Sequence, residues 1–357
     1  YVLDDIGFLS GATAEALGAA SHLFQPRPAS VMLQWKQESY GAQRQFVGPN
    51  PPLGMILNYH LKSAADAAPA ITIVDGQGAT VRKLTGPKDA GFQRVVWDLR
   101  AEGPGVPNVR GPFVVPGTYT VRLSANGVDT SRTVVVKADP ASPVSVDGQR
   151  ARFTLLSAAA KLMGTLQAHQ LALGAMTSGL EELVRQLEGP SGTGTSSANA
   201  AVPQYLADAK LVLERARALL RRIAPPRSGD GEEGGGPPSG IRAAVATLIG
   251  DFEGGGVQQG TLFGPTPGQQ QRLQTATSES IALMASSFSR LRVSILPSPV
   301  ASVVRSKVRA TYSRAAWSTS AGTSGVNALC TADALLTMRR TTGMFSWPST
   351  RTPPLPA

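Results

Sequence analysis

The stretch Met55-Ile56-Leu57-Asn58-Tyr59-His60-Leu61 decides the fold. Met55, Leu57, Tyr59 and Leu61 stand at every second position, with Ile56, Asn58 and His60 between them. Successive side chains of an extended chain point to opposite faces, so this period of two predicts a half-buried β-strand. Asn50-Pro51-Pro52-Leu53-Gly54 punctuates the chain just before it.

The same signal returns at short intervals on the C-terminal side. Ile71-Thr72-Ile73-Val74 runs into Asp75-Gly76-Gln77-Gly78, a polar turn rich in the residue that tolerates positive φ, and residues 81–84 return as the partner strand. Gly91 precedes Arg94-Val95-Val96-Trp97-Asp98-Leu99, a strand with a large aromatic anchor. Pro116-Gly117 opens Thr118-Tyr119-Thr120-Val121-Arg122-Leu123, with Tyr119, Val121 and Leu123 on one face. Asn126-Gly127 is a hairpin signal, and residues 133–136 close the set before Asp139-Pro140. Short alternating strands separated by turn residues predict an antiparallel β-sandwich over residues 50–138.

After residue 140 the period changes. Leu156, Ala159, Met163, Leu166, Leu173, Met176, Leu180, Leu183 and Leu187 recur mostly at three- and four-residue steps, which predicts a long amphipathic helix ended by Gly189-Pro190. Leu206, Ala209, Leu213, Ala216, Leu220 and Ile223 form a second stripe, ended by Pro225-Pro226. Two stripes joined by a Gly/Ser/Thr/Asn/Ala loop predict an antiparallel helical hairpin. Residues 225–240 read as a disordered Pro/Gly-rich linker. Val245, Leu248 and Phe252 mark a third helix. Thr266-Pro267-Gly268-Gln269 opens a fourth, with Thr as cap, Pro in the first turn and Gln where a capping box needs it. Leu273, Ile281, Met284, Phe288 and Leu291 continue it. The helical region thus spans 144–292.

The two ends read differently. Tyr1-Val2-Leu3-Asp4-Asp5-Ile6-Gly7 looks like the closing strand of something upstream, and His22-Leu23-Phe24 through Pro26 and Pro28 reads as a connector, so residues 1–49 form a remnant and link. From about Ile295 no period of two or 3.6 survives and acidic residues nearly vanish. Residues 293–357 are read as a low-order basic tail, with a shifted reading frame as the alternative.

Charge and composition exclude several function classes. The net charge is +10, but after Arg292 seven basic residues (Arg305, Lys307, Arg309, Arg314, Arg339, Arg340, Arg351) face Asp333 alone, so most of the excess lies in the tail. A nucleic-acid footprint needs clustered Lys/Arg on a structured face with aromatics to stack bases, so a nucleic-acid partner is not expected. No run of eighteen apolar residues exists, so no membrane span is expected. Cys330 is the single cysteine and has no partner for an internal disulfide.

Candidate chemical sites all have structural readings. His22 lies in the connector, His60 on the non-core face of its strand, and His169 on a helix without a Cys, Glu or His at metal-ligand spacing. Asp4-Asp5 satisfies turn donors rather than forming an acid/base pair. Asp75 is one carboxylate, too few for calcium, and its hairpin turn accounts for it. Trp97-Asp98 occurs without a forty-residue repeat, so Trp97 is read as a core anchor. Gly76-Gln77-Gly78 has no following helix, and no Gly-x-Ser-x-Gly elbow is present. No residue is therefore assigned a catalytic, cofactor-binding or metal-binding role, and no cofactor is expected. Tyr59, Phe92, Trp97, Phe113 and Tyr119 are the aromatics of the sandwich, and most are expected to look inward.

Several segments in order resemble one family. They are Val2-Leu3-Asp4-Asp5-Ile6, His22-Leu23-Phe24, Asn50-Pro51-Pro52-Leu53-Gly54 with Tyr59-His60-Leu61-Lys62, and Ile71-Thr72-Ile73-Val74-Asp75, followed by Gly78-Ala79-Thr80-Val81-Arg82, Val96-Trp97-Asp98-Leu99-Arg100 and Pro116-Gly117-Thr118-Tyr119-Thr120-Val121. The chain resembles the C-terminal part of the large bacterial sortilin-like β-propeller proteins, often labelled BNR-repeat glycosyl hydrolases. In that family the propeller is followed by an immunoglobulin-like domain similar to that of flagellar hook-capping proteins, then by helices. The resemblance covers residues 1–140 and, more loosely, the helices to 292. It implies an upstream propeller as partner and export to the periplasm or outside; the family's hydrolase label rests on Ser-x-Asp-x-Gly-x-Thr-Trp repeats, none of which is present, so that activity is not carried over to any residue of this chain.

The expected fold class is α+β and multidomain: an immunoglobulin-like antiparallel sandwich, a helical hairpin or bundle, and a disordered tail. The expected function is a non-catalytic structural and interaction module that braces the propeller and makes protein contacts. The alternative is a carbohydrate- or peptide-binding accessory region of a secreted glycoside hydrolase.

Overall fold

The computed structural model describes residues 6–33, 52–188, 202–225, 240–255 and 258–290. Asp4, Asp5 and Cys330, most of the expected linker and the expected tail lie outside the described residues. The fold is mixed α+β. Contacts divide the described residues into two compact units, one within Tyr1–Leu171 and Glu214–Arg292, the other within Ala172–Leu213.

In the first unit a short 3-10 turn, Gly7–Gly11, leads into helix α1, Ala14–Gly18, capped by the Thr13 side chain on the Ala16 amide. Eight strands follow: β1 Ser21–Leu23, β2 Ala29–Ser30, β3 Met55–Leu61, β4 Ala70–Val74, β5 Thr80–Thr85, β6 Gly91–Trp97, β7 Gly117–Ala125 and β8 Val128–Lys137. They form a three-stranded sheet, β1-β3-β6, and a five-stranded sheet, β2-β8-β7-β4-β5. One apolar core joins residues of both, with Met55, Leu57, Tyr59, Leu61 and Trp97 from one sheet and Ile71, Ile73, Val121 and Leu123 from the other.

The period of two in β3 is realised except at Asn58, which is buried as well and accepts from Arg94 Nε (3.1 Å). Met55, Leu57, Tyr59 and Leu61 are fully buried, while Ile56 and His60 lie on the other face. Asn126 and Gly127 take φ of 50° and 72°, the left-handed pair that a two-residue hairpin between right-twisted strands requires. Gly54 takes φ of 127°, and a Cβ there would collide with the Trp97 carbonyl, so glycine is needed where the chain enters β3.

One expectation needs correction. His22-Leu23-Phe24 is no connector: β1 pairs with β3 in the register Ser21↔Leu61, His22↔His60 and Leu23↔Tyr59. Three residues are too few to show a period, and Leu23 is recognisable as a core residue only once its partner strand is in place. Over residues 50–138 the pairs β3–β6, β4–β5, β4–β7 and β7–β8 are antiparallel as expected, and β2, from outside that range, adds to β8 in parallel.

Helix α2 spans Val146–Glu188 and α3 Val202–Ile223; each crosses from one unit to the other. Ser145 starts α2 by accepting the Gly148 amide (3.1 Å). Within the first unit, α2 residues Leu155 and Leu156 pack with Leu248 and Phe252 of α4, Ile241–Glu253. A two-residue ladder, β9 Gly254–Gly255 with β10 Gln258–Gln259, turns the chain toward α5, Pro267–Arg290.

The capping box forms as expected: the Thr266 amide donates to Gln269 Oε1 (2.9 Å), and the Gln269 amide donates to Thr266 Oγ1 (3.3 Å). The apolar stripe of α5 is a further correction. Ala276, Ser280 and Leu283 are buried, whereas Ile281 is 62% exposed. The packing face follows the helical pitch through small residues, and one step past Ser280 turns Ile281 by about 100° out of it.

In the second unit, the distal part of α2 buries Ala172, Leu173, Met176 and Leu180, and the first part of α3 buries Ala209, Val212 and Leu213. Lys210 Nζ pairs with Glu188 (2.5 Å).

Candidate functional site

Two places in the first unit gather polar or aromatic groups beyond what packing alone needs. The first is a buried charged seam. The last turn of the β6 segment builds one side of it. Trp97 is fully buried and its indole Nε1 donates to the Arg100 carbonyl (2.9 Å). Asp98 Oδ1 accepts the Arg100 amide (3.2 Å), and Leu99 sits at φ 56° with its side chain in the core. This tight turn fixes where Arg100 points.

Arg100 Nη1 meets Glu253 Oε2 at 2.5 Å and Arg152 Nη2 meets Glu253 Oε1 at 2.9 Å. The three side chains are 6%, 17% and 3% exposed, for Arg100, Glu253 and Arg152 respectively. One carboxylate thus serves two guanidiniums, one from the sheet region and one from α2, with the carboxylate at the end of α4. The surplus positive charge is met by neutral acceptors. Arg100 Nη1 also donates to the Gly111 carbonyl (2.9 Å) and its guanidinium lies 3.7 Å from the Phe113 ring centre. Arg152 Nε donates to the Thr261 carbonyl (2.9 Å).

Burial pushes the Arg152 guanidinium below its ordinary value; the Glu253 charge and hydrogen bond pull it back up, and the like charge of Arg100 adds to the lowering. A carboxylate at a helix C-terminus meets the negative end of the backbone dipole, so Glu253 is held there by its two arginines. Arg100 Nη1 and Arg152 Nε and Nη2 thus all have acceptors, and the seam ties the sheet region to α2 and α4.

The second place is the outer face of the three-stranded sheet. His22, His60 and Phe92 lie side by side across β1, β3 and β6, since His22 pairs with His60 and His60 with Phe92. The His60 and Phe92 ring centres are 5.3 Å apart, and His22 meets Phe24 edge-on at 4.9 Å. Phe8, from the turn ahead of α1, lies 5.3 Å from Phe24 and 5.7 Å from Phe92. Phe24 is 2% exposed and Phe92 48%. Burial lowers the His22 pKa below 6.5, Arg132 and His60 add to the lowering, and Glu15 opposes it. His60 Nδ1 is buried with no hydrogen-bond partner among the described residues.

The other sequence candidates take structural places. His169 Nδ1 donates to the Thr165 carbonyl one turn back along α2 (2.7 Å). Asp75 Oδ1 accepts the amides of Gln77 and Ala79 (both 2.9 Å), closing the hairpin turn. Tyr59, Trp97 and Tyr119 face the core, and Phe113 is part-buried under Arg100. Among the described residues no three His, Cys, Asp or Glu side chains come together as a metal site, and no helix is long and apolar enough to cross a membrane.

Sequence reading missed Arg100, Arg152 and Glu253. One signal was present: Arg152 stands three and four residues before Leu155 and Leu156, so it lies on the buried stripe of α2, where a charge needs a partner. No family model matches this chain, and no curated protein matches it.

Proposed function

We propose that this chain is a non-catalytic structural and interaction module, the C-terminal part of a secreted sortilin-like β-propeller protein. In this reading the strands form an immunoglobulin-like sandwich, α2 and α3 a helical hairpin, and the upstream propeller is the partner they brace. The single observation that carries it is the Arg100–Glu253–Arg152 seam, because the described part of the chain spends its buried charge on joining sheets to helices.

Several details support the immunoglobulin-like fold. Strands cross repeatedly between the sheets, with β3 and β6 in one and β4, β5, β7 and β8 in the other. Near the start of β7, the Tyr119 hydroxyl donates to the Val115 carbonyl four residues upstream (2.6 Å), the pattern of a tyrosine corner. The buried Trp97 packs edge-on against Tyr119 at 5.6 Å. The Lys210–Glu188 pair supports the hairpin. Export to the periplasm or the outside follows from the family resemblance alone.

Incubating the purified chain with a panel of chromogenic glycosides tests the reading. Release no faster than in buffer is the expected result, and saturable turnover would overturn it. A second reading, a carbohydrate- or peptide-binding accessory region, is favoured by the exposed Phe92 ring beside Phe8 and Phe24. Glycan- and peptide-array binding lost in Phe92→Ala would select it.

A further inference from the structure

We propose that Asn126 is a site of spontaneous covalent modification, at which the chain converts its own β7–β8 turn to isoaspartate and unpins that hairpin from the loop after β3. Asn126 is the only asparagine of the chain that a glycine follows. Strands β7 and β8 stay in register up to Ala125↔Val128, so Asn126 and Gly127 are the whole turn. Gly127 is exposed, and a Cβ built on it would meet no atom within 4 Å. Among the described residues its amide donates to no backbone carbonyl. The attacking nitrogen is therefore neither covered nor held. The Asn126 side chain is secured from an exposed position, where Nδ2 donates to the Ser63 carbonyl (3.2 Å).

The reaction needs these two residues and water. When the Nδ2–Ser63 bond opens, the side chain is free to swing toward the next amide. The Gly127 nitrogen then bonds to Asn126 Cγ and gives up its proton. The Cγ–Nδ2 bond breaks, and Nδ2 leaves with that proton as ammonia. Water opens the resulting five-membered imide. Attack at Cγ gives aspartate; attack at the main-chain carbonyl carbon of residue 126 gives isoaspartate, whose main chain runs through Cγ. A side chain at position 127 would crowd the attacking nitrogen, and glycine has none. Both products put a carboxylate oxygen where a donor faced the Ser63 carbonyl, so two acceptors meet. Isoaspartate also lengthens the main chain by one methylene. A two-residue turn sets the register of its strands, so the lengthened turn no longer fits Ala125↔Val128.

Incubating the full chain in neutral phosphate buffer, with trypsin digestion at intervals, tests this. Cleavage after Arg122 and Arg132 isolates residues 123–132. Replacement of NH2 by OH is expected there several-fold faster than at Asn58 or Asn108, with isoaspartate exceeding aspartate by electron-transfer fragmentation. Hydrogen exchange of the aged chain is expected to be several-fold faster over residues 124–129 and unchanged in β3. Asn126→Gly keeps a turn of the same type without the reactive amide, and its hairpin is expected to keep its protection throughout. The peptide analysis decides on the parent chain alone should Asn126→Gly fail to fold. A peptide that stays unmodified, conversion no faster than at Asn58 or Asn108, or aspartate without isoaspartate would overturn the proposal. So would an aged hairpin as protected as a fresh one, or an equal loss of protection in Asn126→Gly.

Discussion

The contact between the two sheets and the contact between sheets and helices solve the same problem by opposite means. Between the sheets lies a dry apolar core in which Leu57, Ile73, Val121 and Leu123 have no exposed surface. Between the sheet region and the helices lie two buried arginines and a part-buried glutamate. An apolar core stabilises through area and tolerates small errors of register. A buried ion cluster stabilises only when each charge and each proton has its partner, and it fails sharply when one is missing. The difference predicts that the seam is the more brittle of the two contacts.

The largest effect is therefore expected at Glu253. Glu253→Gln leaves two guanidiniums buried with no carboxylate, at a cost of about 3–5 kcal/mol in urea denaturation. Replacing Arg100, Arg152 and Glu253 together by methionine is expected to leave stability within about 2 kcal/mol of the parent, since no charge is then left unpaired. A triple variant no better than Glu253→Gln alone would show that the seam acts through its net attraction and would collapse the contrast.

In the apolar core the corresponding change is Leu57→Ala. It removes a fully buried side chain from between the sheets, so about 2–5 kcal/mol is expected, the exact figure set by how far the neighbours close the cavity. The loss should be graded, with Leu57→Met costing under about 1.5 kcal/mol by the same measurement. A Leu57→Met variant as damaging as Leu57→Ala would mean that this core too is intolerant.

The same contrast explains what could be read from the sequence. Apolar contacts announce themselves locally, because a strand or helix that buries one face must repeat at its own period. Met55 to Leu61 did so, and so did Leu156 to Leu180 and Val245 to Phe252. Turn and cap chemistry is local too, which is why Asn126-Gly127 and Thr266-x-x-Gln269 were legible. The seam was not, because Arg100, Arg152 and Glu253 stand far apart in the chain and nothing in the neighbourhood of Glu253 distinguishes it from a solvated helix-end glutamate. β1 was hidden by its brevity, and with it the pairing of His22 and His60 on one sheet face. Ile281 misled because size was taken for burial, whereas Ala276 and Ser280 fill the face of α5 that packs.

The smallest effect concerns a single polar group inside the apolar core. Tyr119 is 8% exposed, its hydroxyl held by the Val115 carbonyl and its ring against Trp97. Tyr119→Phe keeps the ring and deletes one neutral hydrogen bond, so about 1 kcal/mol is expected at pH 7. The same variant has a signature at high pH. Burial, with the Asp75 charge adding to it, pushes the Tyr119 phenol up to about 12 from 10. The folded protein therefore holds its phenolic proton where the unfolded chain has begun to lose it, and stability falls as pH rises from 10 toward 12. Tyr119→Phe has no such proton to lose. The advantage of the parent over the variant is thus expected to shrink above pH 10 and then reverse, measured by urea denaturation across that range. An advantage that stays constant to pH 12 would mean that the Tyr119 hydroxyl is open to water, and that the core is less dry at this edge than its burial implies.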